Sequence, residues 1–137
     1  MDTRIFYLLS KARHRVYKYA DQHAEQTLGI SVTQLGALLL VKADEGCLQK
    51  DLAHSLQLNN SALTGLASRM ETNGLLDRRA CAQDGRASRL YLTELGREKI
   101  NQARPLLDAL NASLTAGFSD EEMVVIIKFL NHLANDY

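Results

Sequence analysis

The sequence predicts a mainly α-helical chain with one small β-hairpin, on three observations. Leucine (24) and alanine (16) far outnumber valine (5) and isoleucine (5). That balance favours helix, because unbranched side chains lose less rotamer freedom there than β-branched ones. Apolar residues recur at three and four along most of the chain, a spacing that gathers them on one face of a helix. Only residues 75–92 break this spacing, with two short strand-like runs around a polar Asp-Gly turn. The 137 residues fit one domain, and at 46% apolar and 23% charged the composition excludes a disordered chain.

The elements follow in order. From Thr3 to about Glu25, Ile5, Leu8, Leu9, Ala12, Val16, Tyr19 and Ala20 make an amphipathic helix. Ser31 and Gln34 form a capping box, in which hydroxyl and amide each satisfy one orphan backbone donor, and the second helix runs from it to about Ala43. Asp44-Glu45-Gly46 turns the chain into a short third helix, Leu48 to Leu56, with Leu52, Ala53 and Leu56 inward. A polar turn, residues 57–61, leads to a fourth helix from about Ser61 to Thr72, ended by Asn73-Gly74.

On a helical wheel, Leu63, Leu66, Ala67 and Met70 share one side of this fourth helix. Ser61, Thr64, Gly65, Ser68, Arg69 and Thr72 lie opposite. Two short helices joined by a polar turn, the second with a small, hydroxyl-rich outer face, follow the plan of a helix-turn-helix, because small residues let a helix sink into a DNA major groove. The strands that follow, residues 75–80 and 88–92, form a hairpin around Asp84-Gly85-Arg86. It carries Arg78, Arg79, Arg86 and Arg89, as a wing that lies along phosphates or enters a minor groove would.

Thr93-Glu94 opens a long helix to about Ala116, with a kink expected near Gln102 to Pro105 because proline removes one backbone bond and clashes with the preceding turn. Ser119 caps a last helix whose stretch Met123 to Ile127, with Phe129, Leu130 and Leu133, is apolar almost all round and needs cover on both sides. A second copy of the chain is the most economical cover.

Net charge is zero, yet it alternates along the chain: +4 over residues 1–20, −3 over 21–59, +3 over 60–104 and −4 over 105–137. The basic third block coincides with the recognition helix and wing, and screening confines each charge to about 8 to 10 Å. Cys47 and Cys81 lack a C-x-x-C spacing, and His14, His23, His54 and His132 fall on different elements with no i, i+4 pair, so neither a disulfide framework, a metal nor a cofactor is expected. The longest apolar runs fall far short of the ~20 residues of a membrane span, and no signal peptide is read, so a cytoplasmic protein in a reducing compartment is expected. No P-loop, G-x-S-x-G, H-E-x-x-H or dinucleotide fingerprint occurs, so no enzyme is read.

Lys50-Asp51-Leu52-Ala53, Ser61-Ala62-Leu63-Thr64, Glu71-x-x-Gly74-Leu75-Leu76-x-Arg78 and Asp84-Gly85-Arg86-Ala87 stand in the order and spacing of a known family, followed by Leu90-x-Leu92-Thr93-x-x-Gly96. The chain resembles the MarR (multiple antibiotic resistance regulator) family over nearly its whole length. The resemblance implies a winged helix-turn-helix with a long helical dimerisation region. Residues 1–137 would form a single domain, with 31–93 binding DNA and 1–26 and 94–137 pairing two subunits. It further implies a homodimeric regulator, usually a repressor, that binds a pseudo-palindrome in double-stranded DNA and is released by a small-molecule effector. In that scheme Asp84 braces the wing and Arg86 enters the minor groove. Ser61, Thr64, Gly65 and Ser68 approach the bases, Arg69 and Arg78 hold phosphates or nearby acids, and Asn60 and Arg89 are further DNA-binding candidates. His14, Tyr17 and Tyr19 are candidates for an effector cleft, with core or interface packing as their alternative.

Two departures stand out. Leu48 occupies a position where a capping Ser or Thr is common, and Gly65 costs up to about 1 kcal/mol of helix propensity relative to Ala. Two further readings are a winged-helix adaptor that binds protein, against which the wing arginines argue, and a thiol-based redox regulator using Cys47 or Cys81. The peroxide-sensing branch of the family carries its cysteine in the first helix, where this chain has none.

Overall fold

The computed structural model describes all residues from Met1 to Tyr137. They form α1 (Ile5–Leu28), α2 (Val32–Ala43), α3 (Gln49–Leu56), α4 (Asn60–Thr72), β1 (Leu76–Ala80), β2 (Ser88–Leu92), α5 (Glu94–Thr115) and α6 (Asp120–Asp136). Two compact units divide within α5, Met1–Leu106 and Leu107–Tyr137. No single helix is long and apolar enough to cross a membrane.

In the first unit α1 runs three residues beyond the expected Glu25. It stops at Gly29, whose φ of 70° is the left-handed conformation that glycine adopts without steric cost. Lys99 Nζ reaches the freed Leu28 carbonyl at 2.6 Å, placing a cation where a helix end is negative. The Ser31/Gln34 capping box forms as expected, and Val32 N–H donates to Asp21 Oδ1 at 2.8 Å, tying the start of α2 to α1. Leu35, Leu38 and Val41 from α2, Leu52 from α3 and the predicted inner face of α4, Leu63, Leu66, Ala67 and Met70, are all buried. The cap of α4 is Asn59, whose Oδ1 accepts from Ala62 N–H at 2.7 Å, so the helix begins one residue earlier than read from the sequence.

β1 and β2 pair antiparallel, with Leu76 opposite Leu92 and Arg78 opposite Leu90. The wing has a third contributor that the sequence hides. Gly46 N–H donates to the Leu90 carbonyl at 2.8 Å, Leu90 N–H donates to the Cys47 carbonyl at 3.0 Å, and Leu48 bridges to Arg89. Residues 46–48 therefore extend the small sheet on its β2 side. This explains the first departure: Leu48 gives α3 no side-chain cap, but its backbone is held by sheet pairing.

Thr93 and Gly96 join the wing to α5. Thr93 Oγ1 accepts from Gly96 N–H at 3.0 Å and donates to the Gly74 carbonyl at 2.6 Å, so one hydroxyl starts α5 and ties it to the end of α4. Gly96 is buried, and a Cβ there would collide with the Leu75 carbonyl oxygen. The helix continues through Pro105 without interruption. Both Pro105 and Asn101, whose carbonyl loses its donor, lie at exposed positions where water can serve that group.

The second unit comprises the end of α5 and α6, joined through Gly117 at a φ of 87°. The Ser119/Glu122 capping box starts α6, as predicted. None of its residues is buried, and Phe118, Val124, Val125, Ile127, Phe129 and Leu130 are exposed.

Candidate nucleic-acid interface

The outer face of α4 carries the residues the sequence selected. Asn60, Ser61, Thr64 and Arg69 are exposed, and Gly65 and Ser68 are half-buried. Their opposite neighbours are locked into the core, so the backbone of α4 is fixed while this face is free. The hydroxyl of Thr64 is not idle: it donates to the Asn60 carbonyl at 2.8 Å and accepts from Gln49 Nε2 at 3.0 Å. Gly65 has ordinary helical φ, and a Cβ there would lie 3.2 Å from Arg69 Nη1, so the glycine makes room for that guanidinium.

The four wing arginines divide sharply. Arg78 Nη2 pairs with Glu71 Oε1 at 3.0 Å, and Arg78 Nε points at the same oxygen. Arg79 lies over the Tyr91 ring at 4.0 Å. Arg89 Nη1 donates to the Gly46 carbonyl at 2.8 Å, which clamps β2 to the segment before α3. Only the side chain of Arg86, exposed at the tip, takes no hydrogen bond, ion pair or ring contact. Asp84 accepts from Arg86 N–H through Oδ1 at 3.0 Å, and its carbonyl accepts from Ala87 N–H at 3.0 Å, so it shapes the turn that projects Arg86.

Besides a cleft between α4 and the α1–α2 turn, two clefts flank α4. One, of about 240 Å³, brings Asn60, Asp84 and Arg86 together with Leu48, Gln49 and Lys50 at the start of α3. The other groups Ser68 and Arg69 with Thr72 and Asn73 near the end of α4. His14, Tyr17 and Tyr19 are not part of either cleft. They sit exposed along α1, where Tyr19 stacks on His23 with centroids 4.1 Å apart and Arg13 lies over Tyr17 at 4.7 Å.

Sequence reasoning missed the acids that hold this frame. Glu45 accepts from Arg97 Nη2 at 2.7 Å and from Leu92 N–H at 3.2 Å, linking the α2–α3 loop, β2 and α5. The Arg97 bond holds the Glu45 carboxyl below its ordinary range, and the Arg78 bond does the same for Glu71. Glu71 stood in a quoted motif, but nothing local pointed to its partner. The two cysteines differ: burial pushes the Cys47 thiol up, helped by Asp44 and Asp51, whereas the backbone N–H groups of Gln83 and Asp84 pull the Cys81 thiol down.

Residues 28–87, the stretch from the end of α1 to the wing tip, match the MarR family model. The chain is 25% identical to the Staphylococcus aureus MepR protein solved in complex with DNA, with a TM-score of 0.89 over 99% of this chain and 100% of that one. Over residues 28–87 the chain is similar to the MarR family. The transcriptional repressor CouR, solved on a 23-mer DNA duplex, is also 25% identical, with a TM-score of 0.84 over 94% of this chain and 91% of the other. The HTH-type transcriptional regulator YdgJ of Bacillus subtilis is 28% identical over 112 residues, which is 82% of this chain and 68% of that protein. This chain is a DNA-binding transcriptional regulator with a winged helix-turn-helix, and the matched family and the fold are those of regulators and not of enzymes.

Proposed function

We propose that this regulator is a MarR-family homodimeric repressor that binds a pseudo-palindromic operator and leaves it when a small molecule binds. The observation that carries the reading is the paired reading surface: a rigid α4 with an open polar face beside a wing whose tip presents an unengaged Arg86. Asn60, Ser61, Thr64, Gly65 and Ser68 face base edges in the major groove. Arg86 enters the flanking minor groove, where a narrow A/T-rich tract has the deepest negative potential. Arg69 holds a phosphate near the end of α4. Arg78 and Arg89 serve differently from Arg86: their internal bonds hold the wing in place, and Asp84 shapes its tip.

Residues 1–26 and 94–137 form the dimerisation region in this reading. Support comes from the exposed Ile5, Phe6, Tyr7 and Leu8 of α1 and from α6, which has no buried residue of its own. A two-fold dimer then presents its two reading surfaces to successive major grooves, with half-site centres about 10 bp apart. His14, Tyr17 and Tyr19 are assigned to the effector because their rings stand accessible on α1.

Selection of bound duplexes from a random pool, combined with sedimentation, tests the proposal. Expected are an inverted repeat and a species of twice 15.3 kDa. A persistent 15.3 kDa species at micromolar concentration, or protection of one isolated half-site, would overturn it.

A further inference from the structure

We infer that the cleft between α3, α4 and the wing tip is the channel for one DNA strand, and that Lys50 is a positioning residue that holds a backbone phosphate in it. The inference rests on the proposed reading of α4 and the wing and adds what lies between them.

In duplex DNA a major groove and the minor groove beside it are separated by a single sugar–phosphate backbone. A protein that puts α4 into the first and Arg86 into the second must therefore straddle that backbone. The cleft of about 240 Å³ lies where the strand would run: it is lined by Asn60 from α4, by Asp84 and Arg86 from the wing tip, and by Gln49 and Lys50 from α3. Its walls are tied together within the protein. Gln49 Nε2 and Thr64 Oγ1, 3.0 Å apart, join α3 to α4, and the Leu48 bridge to Arg89 joins the start of α3 to β2. The gap is thus preformed, which spares DNA binding the cost of ordering it.

Its charge suits a phosphate. Lys50 and Arg86 are exposed, and neither side chain has a hydrogen-bond or ion-pair partner in the protein. The one acid in the lining, Asp84, spends Oδ1 on the Arg86 N–H. Two free cations against one carboxylate leave the cleft positive. Lys50 is also badly placed for the free protein, because it stands in the first turn of α3, where the helix end is itself positive. An anion in the cleft offsets that placement. A lysine meets a phosphate as a point charge on a flexible stem, so Lys50 fixes the strand in place and reads no sequence.

The experiment uses the full chain on a duplex selected from a random pool, with symmetric pairs of backbone phosphates replaced in turn by neutral methylphosphonates. For the parent, one pair, on the strand between the bases chosen by α4 and the flank entered by Arg86, should cost about tenfold when neutralised. Lys50→Gln should lose about tenfold on the unmodified duplex, whatever its flanks, with a salt slope smaller by about one per subunit. Neutralising that same pair should then cost it no more than about twofold, while Lys50→Arg keeps the parent's pattern. Lys42→Gln, an exposed lysine outside the cleft, should bind like the parent. The melting temperature of Lys50→Gln should not fall, whereas a merely structural lysine would lower it. A Lys50→Gln variant that binds like the parent, that loses as much as the parent at every neutralised pair, or whose loss Lys42→Gln reproduces, would overturn the inference while leaving α4 and the wing as the reading surface. A parent that selects no duplex would overturn it together with that reading.

Discussion

The base of the wing and the proposed reading surface are built from the same residue types to opposite ends. At the base the named side chains are engaged: Arg78 with Glu71, Arg97 with Glu45, Arg89 with the Gly46 carbonyl, and the Thr93 hydroxyl with Gly74 and Gly96. At the reading surface Arg86 has no partner, and Ser61 and Ser68 make no side-chain hydrogen bond within the protein. An arginine's place in the chain therefore does not reveal its task; its partners do. The base holds the wing against the helices, and the surface keeps Arg86, Ser61 and Ser68 unspent for a ligand. Substitutions at the base should register in stability, and those at the surface in DNA binding.

The largest effect is expected at the base. Gly96→Ala drives a methyl group into the Leu75 carbonyl, a backbone atom held between α4 and β1. Overpacking of this kind costs about 3 kcal/mol, and the helix propensity gained over glycine returns about 1 kcal/mol. The net loss of about 2 kcal/mol should lower the melting temperature by about 7 °C in calorimetry. An unchanged melting temperature would mean that the contact between α5 and the wing is looser than described.

Arg86→Ala is the corresponding test of the surface. It should weaken binding by about tenfold, most on sites with A/T-rich flanks, and reduce the slope of log affinity against log salt by about one per subunit. The melting temperature should stay where it is, since the side chain touches nothing in the protein. A variant that binds like the parent would move the tip out of the interface and erase the comparison.

The elements of this division were legible in the sequence to different depths. The inner face of α4, both capping boxes and the hairpin rest on residues within a few positions of each other, and periodicity and turn chemistry expose them directly. The exposed α6 was readable for the same reason, as a helix apolar on more than one face. The pairing of residues 46–48 with β2, the Arg89 bond to the Gly46 carbonyl and the Gln49 bond to Thr64 join residues far apart in the chain. No local pattern encodes them. For this reason the sequence offered four wing arginines to DNA where the fold leaves one free.

Acid should loosen the base of the wing. Glu71 and Glu45 are held below their ordinary value of 4.5 by bonds from Arg78 and Arg97. A carboxyl depressed in the folded state contributes stability above its unfolded value and loses that contribution as pH falls through its folded one. The melting temperature should therefore be flat above about pH 5 and decline below it. Glu71→Gln should flatten part of that decline at little cost at neutral pH, because the pair is exposed and screened. A decline unaltered in both Glu71→Gln and Glu45→Gln would assign acid sensitivity elsewhere.

The smallest effect is expected at Gly65, where the two regions make competing claims on one residue. If the bare backbone of α4 must touch DNA, an added methyl group is costly in binding. If the glycine merely makes room for Arg69, the methyl group displaces the flexible end of that side chain by a few tenths of an ångström. The position 3.2 Å from Arg69 Nη1 and the ordinary helical φ favour the second account. Gly65→Ala should then raise stability by up to about 1 kcal/mol, the propensity difference in a helix interior, and move the melting temperature up by about 3 °C. Affinity should fall by about twofold as Arg69 shifts on its phosphate, well short of the loss from Arg86→Ala, with the choice of bases unchanged. Titration of both variants on the same duplex separates the accounts: a larger loss at Gly65→Ala than at Arg86→Ala would place DNA against the backbone of α4 and make the glycine part of the reading surface in its own right.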